Sequence, residues 1–255
     1  MSSFILTDKQ AGVMRIGFNR AEKKNAITLD MYVALRKALR DASADPQVRV
    51  AVVHGTPEAF TAGNDLGDFL NRERPDPPPS QLFLEALLDF DKPLVAAVSG
   101  IAVGVGTTML LHCDFVYCTP GTRFAMPFVN LGLVPEAASS YLMPRLAGQR
   151  RAAELLMLGE PFDEVTAKEI GLVNQIVVPG KLMETALATA TQLAGKPPAA
   201  LRLTKALRKR AADPVAADAI REEMKVFRER LKSPEAKEAM TAFFEKRKPD
   251  FSRFS

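Results

Sequence analysis

Residues 60–65, Phe-Thr-Ala-Gly-Asn-Asp, place small residues and a glycine soon after the apolar stretch 50–53. Gly63 permits a positive φ, and small neighbours let the backbone approach another group closely. A turn of this kind either reverses the chain and does nothing more, or it directs a backbone N–H at a ligand. In the second case an N–H donor that is fixed in advance can stabilise negative charge on that ligand.

A second stretch, 99–108, carries glycines at 100, 104 and 106 before a predicted helix. Such glycines can expose N–H groups at the helix N-terminus, where the helix dipole favours negative charge. Their spacing is not G-x-G-x-x-G, and the Walker lysine is missing, so the dinucleotide and P-loop fingerprints are excluded. Close packing of the helix is the alternative interpretation of the same glycines.

The third feature is a carboxylate, Glu136, which follows Pro135 in an apolar stretch and is predicted to open a helix. Apolar surroundings raise the pKa of a carboxyl and a helix N-terminus lowers it, and the sequence leaves the balance between these two effects open. A glutamate in the first turn also stabilises a helix without any catalytic role. His54 and His112 have no third partner at metal-ligand spacing, and no metal site is predicted.

Alternating strand and helix patterns must position these features. Thr28 or Asp30 can cap the first helix, and four prolines within 73–79 predict an exposed loop. Repeated strand–helix units indicate an α/β fold in which parallel sheet layers are covered by helices. The predicted strands are 13–18, 48–54, 93–98, 114–118 and 175–178, and the predicted helices of this part are 29–42, 80–90, 104–112, 135–146 with a bend at Pro144, 152–158 and 165–170.

Only helices are predicted beyond residue 181, at 182–195, 198–212, 214–231 and 234–247. The Lys-Pro-Pro sequence at 196–198 divides a core, 1–195, from a C-terminal helical region, 196–255. That region is too short for a hydrophobic core of its own. It must therefore pack on the body of the protein or on a neighbouring subunit.

The composition of the 255 residues, 47% hydrophobic and 25% charged, is ordinary for a globular protein. The sequence lacks a run of about 18 uncharged apolar residues and a signal-peptide pattern at its N-terminus, so no membrane association is expected. Two cysteines suggest a reduced compartment and no disulfide framework. These features predict a cytoplasmic protein.

The net charge of +4 is unevenly distributed. Residues 196–255 hold 16 Lys and Arg against 9 Asp and Glu, a net +7, which leaves 18 against 21, a net −3, for the remainder. This basic excess either forms a solvated helical face or binds phosphate. Aromatic residues are not interleaved with the basic ones before Phe227, and nucleic acid is not an expected partner.

Five ordered segments carry a resemblance that covers nearly the whole chain. FTAGNDLGDF resembles the oxyanion-hole loop of the crotonase superfamily, the enoyl-CoA hydratase/isomerase family, and VSGIAVGVGTTMLLHCDFVY is similar to the second half of that hole. FNRAEKKNAIT looks like the N-terminal coenzyme A segment, and EIGLVNQIVVP and KPPAALRLTKALRKR follow in order. The resemblance implies an α/β fold, a crotonase-like spiral of ββα units, with a C-terminal α-helical trimerisation region. It also implies a homotrimer or a dimer of trimers.

The resemblance further implies an acyl-coenzyme A thioester as ligand, with its enolate held by the backbone N–H groups of Asn64 and Val105. Val105 stands where hydratases commonly have glycine. No separate cofactor is implied, because coenzyme A is part of the substrate. Substrate and coenzyme contacts are implied for Lys23, Lys24, Ala26, Ala62, Asp65, Phe128, Phe244 and Lys248.

Two positions bear on the reaction. Hydratases of the family carry glutamates where this chain has Thr108 and Phe128, and neither of these is an acid. The stretch PFVNLGLVPEAASS instead resembles the peroxisomal-type Δ3,Δ2-enoyl-CoA isomerases, whose single catalytic glutamate corresponds to Glu136; Ala137 replaces the usual next glycine.

The resemblance therefore implies isomerisation of 3-enoyl-CoA to 2-trans-enoyl-CoA in fatty acid β-oxidation, with Glu136 shuttling the proton. One alternative is hydration of 2-enoyl-CoA or another acyl-CoA reaction of the family. An alternative of another class is a catalytically silent protein that binds acyl-CoA or RNA.

Overall fold

The computed structural model describes residues 3–67, 75–210 and 212–254. The last residues of the FTAGNDLGDF segment, 68 and 69, and the start of the predicted proline loop, 73 and 74, lie outside the described residues. The strands are β1 (Ile5–Gln10), β2 (Val13–Phe18), β3 (Val50–His54), β4 (Leu94–Val98), β5 (Ile101–Val103), β6 (Phe115–Cys118), β7 (Arg123–Ala125), β8 (Phe162–Asp163) and β9 (Gln175–Ile176).

The main sheet of the described part runs β1-β2-β3-β4-β6-β9. Its first pair is antiparallel, and all later pairs are parallel. A smaller sheet has the order β5-β7-β8, with β5 and β7 parallel. The parallel sheet confirms the predicted α/β class, because each parallel step needs a crossover that the helices supply.

Ten helices connect and cover these strands in the described ranges. They are α1 (Leu29–Ala44), α2 (Pro79–Leu88), α3 (Val105–Thr108), α4 (Ser139–Ala147), α5 (Gln149–Ala153), α6 (Glu164–Glu169), α7 (Leu182–Ala194), α8 (Pro198–Lys209), α9 (Asp213–Leu231) and α10 (Pro234–Phe244). Thr28 is the cap of α1, since its hydroxyl accepts a hydrogen bond from the Met31 amide at 3.3 Å. None of the helices in these ranges has the length and apolarity to cross a membrane.

Both faces of the main sheet are buried. Along β3, Val50 and Val52 contact one cluster, which also contains Ala186 of α7. The alternate residues Ala51 and Val53 belong to the larger cluster on the other face, with α1 and α2. This alternation is the period-two pattern of a strand covered by helices on both sides.

The C-terminal region contributes to the same large cluster as the body. Ile220, Met224 and Phe227 of α9 and Met240 of α10 are buried in it. Helix α9 packs on α2 and α4, and α10 packs on the 3-10 turn Val129–Leu131. These helices therefore pack on the body of their own chain.

The sequence analysis did not predict four of the described strands. β1 buries only Ile5, so its sequence lacks the alternation that marks a half-buried strand. β5, β7 and β8 are two or three residues long, which is too short for any period to be visible.

Several predicted helix boundaries are also wrong. The helix predicted for 135–146 begins at Ser139, because Ala137 and Ala138 have positive φ values of 62° and 56°. The helix predicted for 104–112 is α helix only to Thr108 and continues as a 3-10 turn, Met109–His112. The predicted helix 234–247 ends at Phe244.

Candidate active site

The first glycine-containing turn and β5 are joined by their backbones. The amide of Thr61 donates to the Ile101 carbonyl at 3.1 Å, and the amide of Val103 donates to the Thr61 carbonyl at 3.0 Å. Gly63 has a φ of 83°, and a Cβ there would lie 2.5 Å from the Val103 carbonyl oxygen. Only glycine allows the two segments to approach so closely.

Gly104 and Gly106 of the second stretch have different structural roles. A Cβ on Gly106 would lie 2.6 Å from the Thr61 methyl group, so this glycine permits close packing of α3. A Cβ on Gly104 would meet the Phe128 ring at an ordinary contact distance of 3.9 Å, but Gly104 has a φ of 56° and turns the chain into α3. Val105 then begins the helix with its side chain buried, and the positive φ falls on the glycine before it.

Two backbone amides are left available where these segments meet. The amide of Asp65 donates to the Ile27 carbonyl, and the amide of Gly104 donates to the Ala125 carbonyl. The amides of the adjacent residues Asn64 and Val105 donate to no protein acceptor among the residues that the structure describes. Val105 is the first residue of α3, where a helix offers its own N–H groups no partner.

The side chain of Asn64 is engaged elsewhere. Its Oδ1 atom accepts a hydrogen bond from the Tyr32 hydroxyl of α1. The next residue, Asp65, forms an ion pair of 2.6 Å with Arg20, whose guanidinium also donates to the Ala26 carbonyl at 2.8 Å. Burial alone would raise the pKa of the Asp65 carboxyl, but the hydrogen bonds from Arg20 and the Gly67 amide lower it overall. These contacts fix the turn while the Asn64 amide stays available.

A cavity of about 530 Å³ opens in front of this turn. Six of the predicted contact residues line it: Lys23, Ala26, Ala62, Asp65, Phe128 and Phe244. Asn64 and Gly104 also line it, which places the two segments at its wall.

Two predicted contacts lie outside the cavity lining. Lys24 ends a 3-10 turn with a φ of 49°, and its exposed side chain is not on the cavity wall. Its backbone carbonyl accepts a hydrogen bond from the Ala62 amide at 2.9 Å. Lys248 lies beyond the end of α10 at Phe244, and it is exposed.

Sequence reasoning missed two aromatic residues of the lining, Phe227 of α9 and Phe243 of α10. Phe243 packs edge-on against Phe244, with ring centroids 5.6 Å apart, and about half of each side chain is exposed. The apolar spacing of both helices predicts buried residues but not which of them face a cavity.

Glu136 is buried to 1% exposure, and its Oε1 atom has no hydrogen-bond partner in the described part of the chain. Burial raises the pKa of its carboxyl to about 8, and the negative charge of Glu223 adds to the rise. The residue does not open a helix as predicted, because two alanines with positive φ separate it from α4. The carboxyl can therefore change its protonation state near neutral pH, but Glu136 is not among the residues that line the cavity.

The positions of the two hydratase glutamates hold no acid in the structure. Thr108 is fully buried, and its hydroxyl also has no hydrogen-bond partner among the described residues. Phe128 is buried at the cavity wall. Glu136 is therefore not paired with a second carboxylate at either of these positions.

The remaining titratable groups near the site do not supply a base or a metal ligand set. Burial lowers the pKa of His112 to about 4, and its neutral ring donates from Nε2 to the Ala137 carbonyl at 2.8 Å. Burial raises the pKa of the Cys113 and Cys118 thiols, which makes thiolate chemistry unfavourable. In the described ranges no group of three or more His, Cys, Asp or Glu could hold a metal ion.

Comparison with known proteins supports the resemblance seen in the sequence. The family model described as enoyl-CoA hydratase/isomerase matches residues 8–253. Enoyl-CoA delta isomerase 2 of Rattus norvegicus is 38% identical over 214 residues, 81% of this chain and 54% of that enzyme, so the chain spans about half of its length. The 2,3-dehydroadipyl-CoA hydratase of Escherichia coli is 30% identical over 257 residues, 98% of each chain.

A solved structure gives the same result for the fold. The enoyl-CoA hydratase/isomerase from Pseudoalteromonas atlantica superposes with a TM-score of 0.93 at 38% identity, covering 98% of this chain and 100% of that one. The predicted fold class is confirmed. The names of the relatives include both isomerases and hydratases, so they do not choose between the two reactions.

Proposed function

This chain belongs to the enoyl-CoA hydratase/isomerase family, and we propose that it converts 3-enoyl-CoA to 2-trans-enoyl-CoA in fatty acid β-oxidation. The observation that carries the proposal is the buried carboxyl of Glu136, with no acid at positions 108 and 128. Its raised pKa suits a group that accepts a proton and then returns it. Hydration needs a held and activated water, and the two positions that carry acids for this purpose in hydratases are Thr108 and Phe128 here.

The reaction moves one proton and one double bond. The Glu136 carboxylate takes a proton from C2 of the thioester, and the C–H electron pair shifts the carbonyl to a dienolate. The amides of Asn64 and Val105 donate hydrogen bonds to the thioester oxygen, which carries the negative charge. Glu136 then returns the proton at C4, and the double bond is left between C2 and C3.

The two amide donors supply the largest stabilising effect. Removing one donor of an oxyanion hole costs about 2.7–4 kcal/mol of transition-state stabilisation in enzymes of this kind of chemistry. The apolar residues Met126, Phe128 and Leu133 are buried around the site and exclude water from the dienolate. No separate cofactor takes part in this proposal.

The coenzyme part of the substrate fits the open side of the cavity. Lys23 lines its wall, and the C-terminal region adds a net positive charge of 7, which favours a phosphate-bearing ligand. We assign the adenine and pantetheine to the wall formed by Lys23, Ala26 and Ala62, with Phe244 opposite. In this assignment Lys24 and Lys248 act from outside the lining, through long side chains that reach the phosphates.

The decisive assay offers 3-enoyl-CoA and 2-enoyl-CoA separately to the purified protein. The proposal expects conjugation of the first without 3-hydroxyacyl product from the second. Glu136→Gln is expected to lose several orders of magnitude in turnover with nearly unchanged thioester binding, whereas Glu222→Gln, an exposed glutamate of α9, keeps wild-type turnover. Hydroxyacyl product at a comparable rate would instead establish the hydratase reaction, which the name of the E. coli relative supports.

We also propose that the chain assembles as a homotrimer or a dimer of trimers in the cytoplasm. Large apolar side chains are exposed on the single chain, among them Met157, Leu158, Leu203 and Leu207. Burial of such residues between subunits is favourable, because apolar area leaves water. Light scattering on the purified protein measures the assembly directly, and a monomer at micromolar concentration would contradict it.

A further inference from the structure

Glu223 is a buried carboxylate of α9 on the side that packs against α4. Its oxygens accept hydrogen bonds from the Ala138 amide at 2.7 Å, from the Ser140 amide at 2.9 Å and from the Ser140 hydroxyl. All three donors lie within four residues of Glu136. A residue of the C-terminal region therefore reaches across 85 positions of sequence to hold the loop that carries the proposed base.

The loop that Glu223 holds is strained. Ala137 and Ala138 both have positive φ, a conformation that costs energy for every residue with a Cβ. Such a backbone persists only where surrounding contacts fix it. Besides Glu223, two side chains bond to this loop: His112 donates to the Ala137 carbonyl, and the Ser139 hydroxyl donates to the Glu136 carbonyl at 2.6 Å. Backbone amides of the first turn of α4 also donate to the Glu136 and Ala138 carbonyls.

The charges around Glu136 come from few groups. From α9 it faces Glu223, and from the 3-10 turn beneath the loop it faces His112, which is neutral because burial lowers its pKa to about 4. Lys205 and Lys209 of α8 act on His112. The charge that acts on the Glu136 carboxyl is therefore that of Glu223 in its ionised form. Burial raises the pKa of Glu223 as well, although the hydrogen bonds from Ser140 and Ala138 oppose this rise.

We propose that Glu223 is a positioning residue for Glu136: it holds residues 136–140 in their strained conformation and places its own carboxyl group beside the base. The negative charge makes the base hold a proton more tightly, which favours abstraction from a weak carbon acid. Only this catalytic consequence rests on the proposed function. The hold on the loop and the effect on Glu136 ionisation are properties of the protein without substrate.

The first experiment measures ionisation without any reaction. Protein labelled with ¹³C at glutamate carboxyls is titrated by NMR, and the Glu136 signal is identified as the one absent in Glu136→Gln. Its midpoint is expected near pH 8 in the wild type, at lower pH in Glu223→Gln, and unchanged in the matched control Glu222→Gln, which removes an exposed charge from the same helix. An unchanged midpoint in folded Glu223→Gln overturns the proposal.

The second experiment measures turnover of 3-enoyl-CoA against pH in the same proteins. Glu223→Gln is expected to lose about 100-fold in kcat at high pH, the size of loss that small misplacements of reacting groups cause, with the acid limb of its profile moved to lower pH. A uniform loss with an unmoved limb shows packing alone and overturns the proposal. A wild type that turns over no 3-enoyl-CoA defeats the proposed function, while the NMR midpoints still decide the role of Glu223.

A variant with less backbone strain is used if the single substitution prevents folding. If Glu223→Gln does not fold, the same change is made together with Ala137→Gly and Ala138→Gly, which tolerate positive φ. This triple variant is expected to fold with a lowered Glu136 midpoint. Failure to fold, or a wild-type midpoint in the folded triple variant, counts against the proposal.

Discussion

The ionisation of Glu136 predicts how the stability of the protein depends on pH. Its pKa is raised from 4.5 to about 8 in the folded protein, mainly by burial. Below pH 4.5 the carboxyl is protonated in both the folded and the unfolded chain and makes no difference to stability. Between these values the unfolded chain loses the proton first, so the folded state loses stability as pH rises, and the loss is complete above the folded pKa.

The size of the effect follows from the two pKa values. Each unit of pKa difference corresponds to about 1.4 kcal/mol. The interval from 4.5 to about 8 therefore corresponds to a loss on the order of 5 kcal/mol. Glu136→Gln keeps the shape of the side chain and cannot ionise. We expect this variant to gain stability relative to the wild type by about 1.4 kcal/mol for each pH unit across the interval.

Urea unfolding at several pH values, at one protein concentration and one ionic strength, measures the free energies. The informative quantity is the difference between Glu136→Gln and the wild type at each pH, since titrating groups that do not interact with Glu136 cancel in it. Glu222→Gln controls for loss of one carboxylate from the chain. A difference that stays constant from the acid to the alkaline end would refute the reasoning, because it would show that Glu136 ionises equally in both states.

Three further substitutions test the loops around the site. Gly63→Ala is expected to cost at least about 1–2 kcal/mol from its positive φ, and more from the contact with the Val103 carbonyl, measured by urea unfolding. Tyr32→Phe removes the hydrogen bond to Asn64 and is expected to cost about 1 kcal/mol and to lower kcat, with 3-enoyl-CoA as substrate. Ala137→Gly replaces a residue with a positive φ by one that tolerates it. The variant is expected to gain about 1 kcal/mol in stability, which raises the melting temperature by a few degrees. An unchanged or lower melting temperature would show that the backbone at Ala137 is not strained.

Much of the fold could be predicted because it depends on local sequence patterns. The strand β2 is found at the predicted residues, and α1 begins at the predicted Leu29 with Thr28 as its cap. The turn at Gly63 was identifiable from residue types, since a glycine among small residues is needed where two backbones touch. These features depend on residues within a few positions of one another.

The parts that could not be predicted depend on contacts between distant segments. Nothing in the sequence around Glu136 indicates that two alanines take a left-handed conformation, because the donors that hold them bind Glu223 of α9. In the same way, Phe227 faces the cavity only because α9 folds back against the body. Local periodicity predicts that such residues are buried, but their partners are set by the tertiary fold.

The two halves of the proposed site are built by different means, and this bears on how the proposed reaction can vary. The amides of Asn64 and Val105 are positioned by backbone hydrogen bonds between Thr61 and β5, which do not depend on side chains at those positions. The acid is one side chain on a loop held by side chains from other elements. A change of acid position can therefore change the reaction while the oxyanion donors stay intact, which agrees with similar folds carrying the names of both isomerases and hydratases.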